Sequence, residues 1–268
     1  MPTDHATPQS MLRLEGIRKR YGSFTAVDGL DLDVHAGEIF GFLGPNGAGK
    51  TTTIRMVAGV LQPTEGRILV DGEDLHRDPE RAKRRVGYIP DRPFLYPKLS
   101  GGEFLRFVGG LWGYEGDELE ARADRLLELF SLSRWKDELV ESYSHGMRQK
   151  LLISSAFLHE PGLIVVDEPM VGLDPRSARI LKDLLRAFAD DGGTVFLSTH
   201  TLEVAEALCD RIAILQGGQV IARGTMDELR REASAGGAHL EDIFLKVTGG
   251  DAVADVVAAL GGPVAAGV

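Results

Sequence analysis

The chain has 268 residues, 43% of them apolar and 26% charged, and a formal net charge of −10. This composition excludes a disordered polymer, and the acidic balance argues against broad nucleic-acid binding, which leaves a basic footprint. A single cysteine, Cys209, excludes a disulfide framework within the chain and fits a reducing compartment.

The opening MPTDHATPQS is polar and lacks the apolar centre of a signal peptide, so 1–10 reads as a flexible N-terminus. Residues 11–34 alternate with a turn at 21–23, which predicts an antiparallel opening sheet. Ile39–Leu43 is a short apolar run that feeds a glycine-rich stretch and then a helical pattern from Lys50. Further runs at Val86–Ile89, 163–166, 194–197 and 212–215 read as buried strands. Helical patterns separate most of them, as at 176–190, where Ile180, Leu181, Leu184, Leu185 and Phe188 share one face. Strands alternating with helices predict an α/β fold with a parallel sheet wrapped by helices.

Residues from about 93 to 160 follow another pattern. Ser100 and Glu103 make a capping-box pattern before an apolar helix, and Leu119, Ala123, Leu126, Leu127 and Phe130 mark a second amphipathic helix. No strand is predicted between them, so the stretch reads as a helical lobe inserted into the core. No apolar run reaches the roughly 20 residues of a membrane-spanning helix, so the chain is expected to be soluble, with any membrane role through a partner. Cys209 follows the apolar run Leu202–Leu208 and reads as a small hydrophobe. The tail at 248–268 suggests no role.

GPNGAGKT at 44–51 fits the phosphate-loop pattern in full. Gly44, Gly47 and Gly49, with Pro45, Asn46 and Ala48 between them, let backbone N–H groups turn towards phosphate oxygens. Lys50 supplies a point charge for the β- and γ-phosphates, Thr51 a hydroxyl for Mg²⁺, and Thr52 extends a helix start that favours anions. LIVVDEP at 163–169 brings Asp167 out at the C-terminal end of a buried strand, where ligands gather in open α/β sheets. Asp167 is a candidate Mg²⁺ ligand and Glu168 a candidate general base. By itself such an acidic pair is as readily solvated charge; a preceding phosphate loop favours the catalytic reading.

SYSHGMRQKLLISSAFLHEPGLIVVDEP at 142–169 resembles the signature segment of ABC ATPases running into their second nucleotide motif. The resemblance covers about 11–247 and implies an ABC ATPase domain: a P-loop core with a mixed sheet, an N-terminal antiparallel β subdomain and an inserted helical subdomain. It implies that Ser144 and Gly146 contact the γ-phosphate held by an opposite subunit, making a composite site. VGLDP at 171–175 resembles the family's D-loop, with Asp174 in its acidic place. LSTH at 197–200 resembles the switch segment, so His200 is expected at the γ-phosphate. Tyr21 stands where the family stacks an aromatic ring on adenine, although its spacing fits a core residue equally well.

Two places depart from the family pattern. Asp91, in GYIPDRPFLYPKLSGGEFL at 87–105, stands where the family keeps a glutamine; it is expected to remain on the metal side, with the metal or Arg92 screening its charge. His145 and Met147 replace a glycine and the glutamine of the signature. IPD, YSHGM and the terminal LEDIFLKVTGG resemble the bacterial ABC-2 group, mostly exporters. The implied function is ATP hydrolysis with Mg²⁺ by a dimer, powering a separate multi-spanning permease from the cytoplasmic face of the inner membrane. The second subunit is a copy or a paralogue. The cluster at 93–97 is either a groove for a permease helix or plain lobe core. A soluble ABC ATPase without a transport role and an inactive regulatory cassette are the alternatives, and no nucleic-acid partner is expected.

Overall fold

Alternation in the opening segment produces a long hairpin, β1 (Ser10–Tyr21) antiparallel to β2 (Phe24–His35), with Tyr21 paired to Phe24 at its tip. The computed structural model describes residues 9–168, 170, 172–232, 240 and 244. The tail at 248–268, most of the N-terminal ten residues, and all of LEDIFLKVTGG except Leu240 and Phe244 lie outside the described residues.

β3 (Ile39–Leu43) leaves the hairpin for a second sheet and leads into α1 (Lys50–Val57). β4 (Glu65–Val70) returns to pair with β1, and the two-residue β5 (Glu73–Asp74) pairs with β4, so the first sheet runs β2-β1-β4-β5. α2 (Pro79–Lys83) leads to β6 (Val86–Ile89). Three helices then follow without a strand: α3 (Gly101–Leu111), α4 (Gly116–Leu129) and α5 (His145–Phe157). Ser100 and Glu103 make both bonds of the expected capping box at the start of α3.

After α5 come β7 (Leu163–Asp167), α6 (Pro175–Asp190), β8 (Thr194–Thr199), α7 (Leu202–Leu208), β9 (Arg211–Gln216), β10 (Gln219–Gly224) and α8 (Met226–Glu232). The second sheet has the order β10-β9-β3-β8-β7-β6, parallel except for β10. It is therefore mixed. Every residue of β3, β7 and β8 is buried, as expected of parallel strands covered on both faces.

Strand alternation divides these residues between two cores. Phe40, Phe42, Val165 and Phe196 pack towards α1 and the first sheet, whereas Ile39, Ile164, Val166, Val195 and Leu197 pack towards α3–α6. Register then sets the site: Leu43 pairs with Thr199 and Asp167 with Ser198, so three strand ends stop at one level. Cys209 closes α7, its thiol buried and pushed up by burial; a Cβ at Gly41 would come 2.7 Å from its sulfur. Among the described residues no helix is long and apolar enough to cross a membrane.

Candidate nucleotide site

The loop between β3 and α1 is shaped by backbone conformations that only glycine takes easily. Gly49 has φ +105° and caps α1, and a Cβ there would come 2.5 Å from the Ala26 carbonyl oxygen. A Cβ at Gly44 would come equally close, 2.5 Å, to the Leu215 carbonyl. The loop is thus pressed between β2 and β9 and has no room for a side chain at either place. Inside it, Lys50 is 7% exposed and its ammonium donates to the carbonyls of Gly44 (2.6 Å) and Pro45 (3.1 Å). Burial pulls Lys50 below its ordinary value, opposed by the charges of Glu168 and Asp167.

Asp167 ends β7 fully buried. Its Oδ1 accepts from Ser198 Oγ at 2.5 Å and from Thr51 Oγ1 at 3.4 Å, while Oδ2 is buried without a partner. Burial pushes this carboxyl up, against the bonds from Ser198 and Thr51, and the charges of Asp91 and Glu168 push the same way. A buried anionic oxygen with no donor, beside a threonine hydroxyl, is a donor set that suits a hard divalent cation. The residues present therefore fit Mg²⁺, with Thr51 and Asp167 as its protein ligands.

Glu168 follows with φ +51°, and its N–H donates to Ser198 O at 3.2 Å. Its carboxylate lies 2.8 Å from His200 Nδ1 and also accepts from the His200 backbone N–H at 3.4 Å. β7 and β8 are neighbours, so this pair follows from sheet order. A cavity of about 400 Å³ is lined by 46–52, Glu168, His200, Phe24 and Ala26. Gly44 and Pro45 lie at the foot of this loop, bonded to Lys50, outside the lining.

The remaining predicted residues lie elsewhere. Tyr21 is 50% exposed at the hairpin tip and does not line the cavity; Phe24, paired with it, does. Asp91 lines a neighbouring cavity of about 500 Å³ with Arg92, Pro93, His145, Arg148 and Glu168. Arg92 Nε is 4.0 Å from its carboxylate. Glu168 is thus common to both cavities. Ser144 caps α5 by accepting from the Met147 N–H at 3.3 Å, and Gly146 faces the Gly172 carbonyl, 3.2 Å from where a Cβ would sit. Asp174 caps α6, accepting from Ser177 and Lys150, and the Ser177 bonds hold its carboxyl far below the usual range. In this chain neither Ser144 nor Gly146 reaches the loop cavity. Sequence reasoning missed Phe24 and Ser198, although Ser198 stands inside the LSTH segment.

A family profile described as ABC transporter matches residues 27–171. The chain belongs to the ABC transporter family. This ABC cassette is 43% identical over 223 residues to the daunorubicin/doxorubicin resistance ATP-binding protein DrrA of Streptomyces peucetius, covering 83% of this chain and 68% of that one. It is 40% identical over 219 residues to the Nod factor export ATP-binding protein I of Ralstonia nicotianae, covering 82% and 68%. Among solved structures, the ATP-binding subunit of an ABC transporter aligns with TM-score 0.84 and 36% identity over 89% of this chain and 100% of that one. The dimeric post-hydrolysis state of the cassette MJ0796 with ADP and Pi aligns with TM-score 0.74 and 25% identity, covering 81% and 99%. The chain is an ATP-binding ABC ATPase, and the family, the mixed-sheet α/β fold and the likeness to ATP-binding proteins of exporters agree with the resemblance drawn from its motifs.

Proposed function

We propose that two copies of this ABC ATPase, or one copy and a paralogue, close around two ATP–Mg²⁺ and use hydrolysis to drive export through a separate membrane permease. The ATPase domain spans 11–247, with 93–160 inserted as its helical part. The observation that carries the reading is the Glu168 carboxylate, set at the end of β7, held 2.8 Å from His200 and facing the cavity of the phosphate loop.

Each site takes the loop at 44–52, Glu168 and His200 from one chain and Ser144 and Gly146 from the other. Thr51 and Asp167, with Asp91 nearby, would hold Mg²⁺, which would supply charge neutralisation to the phosphates. Loop N–H groups and Lys50 hold the phosphates in place. Glu168 accepts a proton from the attacking water, and His200 holds Glu168 in position while facing the γ-phosphate. Phosphoryl transfer to water needs mostly positioning and charge stabilisation, which this set provides. ATP favours the closed dimer because it makes contacts there that the open state lacks.

The permease segment docks on the exposed ridge of Phe94, Tyr96, Phe107 and Leu111, beside Asp91 in sequence and on α3. Tyr96 and Phe107 touch edge to face at 5.2 Å, which joins the segment before α3 to the helix itself. In this scheme the chain works at the cytoplasmic face of the inner membrane, held there by its partner. Exporter names among the relatives support the direction of transport.

Glu168→Gln tests the scheme. The variant should bind ATP, lose at least about a hundredfold in turnover, as removal of a general base does, and accumulate as an ATP-bound dimer on size exclusion. A variant that stays monomeric and hydrolyses ATP normally would overturn it.

A further inference from the structure

We infer that His145 is a positioning residue, whose ring seats the turn at 172–174 on the first turn of α5. Ser144 and Gly146 flank it in sequence, so the seat holds them ready for the phosphate across the dimer. This rests on the composite site proposed above, and it names what keeps the second half of that site in shape.

His145 opens α5, directly after the cap residue Ser144. Helical side chains lean back towards the N-terminus of their helix, which carries this ring out over the turn that follows β7. There it meets Gly172: a Cβ on that residue would come 2.5 Å from Nε2 and 2.6 Å from Cδ2. Gly172 has φ +81°, so glycine is demanded twice, by the backbone and by the ring. Gly146 faces the Gly172 carbonyl, and Lys150 pairs with Asp174 at 3.3 Å. Gly146 and Lys150 are four positions apart and share one face of α5.

An exposed histidine in the first turn of a helix is commonly no more than solvated polarity. This one occupies a place that the glycine of the family pattern would leave empty, above Gly172. Met147, the other departure in the same segment, packs against the second core, as do Met170 and Leu173 from the chain that follows β7. Both departures thus fall where the start of α5 and the turn meet.

The functional consequence lies in what the turn connects. Gly172 stands four positions after Glu168, and His145 lines the cavity of about 500 Å³ that has Glu168 and Asp91 in its wall. One ring therefore touches the segment that carries the general base of one site and adjoins the phosphate contacts offered to the other. A segment already held in its bound shape loses no freedom when the dimer closes. With glycine at 145 that freedom would be lost on closing instead, at a cost to closure.

Dimerisation of the full Glu168→Gln chain in ATP reads the seat directly. His145→Ala, added to it, should weaken ATP-driven dimerisation about tenfold, while ATP binding by the dilute monomer stays as before. His145→Phe keeps a flat ring over Gly172 and should recover most of that loss. Gly172→Ala should weaken dimerisation more when His145 is present than in the His145→Ala chain, where only the backbone strain at Gly172 remains. The inference falls if His145→Ala dimerises like its parent or loses ATP binding in step. It falls equally if His145→Phe does no better than His145→Ala, or if the losses at 145 and 172 simply add. A Glu168→Gln chain that stays monomeric in ATP with His145 intact sinks the composite site itself, which is a different failure.

Discussion

At Glu168 the backbone takes φ +51°, a left-handed conformation uncommon for a residue with a side chain. Such a residue costs on the order of 1–3 kcal/mol and persists where its surroundings fix it. Here they do: Ser198 O receives its N–H and His200 meets its carboxylate. A second constrained residue is His159, between α5 and β7. Its ring is stacked on Trp112 at 4.2 Å and 11°, Nε2 meets the Val86 carbonyl at 3.1 Å, and Nδ1 is buried without a partner. Burial pulls its pKa below the ordinary value, against the Val86 bond. The unfolded chain then takes up a proton that the folded chain resists, so stability is fully present above about pH 6.5 and falls as pH drops towards the folded value. Denaturant titrations from pH 7.5 to 5 should show that slope, and His159→Phe should flatten it.

Among elements, the most legible were those whose burial is complete. β3, β7 and β8 read from their apolar runs because covered parallel strands admit few polar residues. β4, β5 and β10 gave no such signal. β4 opens with the exposed Glu65, Gly66 and Arg67, β5 is two residues long, and β10 alternates exposed and half-buried positions at a sheet edge. Pairing creates them, β4 on β1, β5 on β4 and β10 on β9, and pairing is not written in local periodicity. The site divides the same way. The phosphate loop was readable because its constraint is a backbone one that demands glycine. The place of Phe24 in the lining was not, since it depends on where the hairpin tip lands beside a loop some twenty residues later. Ser198 gains its role only from the register between β7 and β8. The capping box at α3 was legible in four letters. Ser100→Ala should destabilise the protein by about 1 kcal/mol in chemical denaturation, with the ATPase rate per folded molecule little changed.

For the whole molecule, the decisive fact is what one chain fails to bring together. Lys50, Glu168 and His200 meet at one cavity, while Ser144 and Gly146 sit at the start of α5, away from it. A composite site follows under the proposed function, and mixing variants tests it. Homodimers of Lys50→Ala lack both phosphate loops, and homodimers of Ser144→Arg lack both signatures. In the mixed dimer both lesions fall on one site and the other is intact. Mixing the two inactive proteins should therefore restore hydrolysis; a mixture as inactive as its components would show that each chain works alone.

The stack of Trp112 on His159 has an optical consequence. The chain contains two tryptophans, and the other, Trp135, packs against Tyr143 within the same helical region, its ring centroid 6.4 Å away. Neither indole lies at the nucleotide cavity. A protonated imidazole held face to face with an excited indole accepts an electron from it and darkens its emission, whereas a neutral one does so far less. The Trp112 share of the chain's emission should therefore dim as His159 takes up a proton, while the Trp135 share should not follow that site.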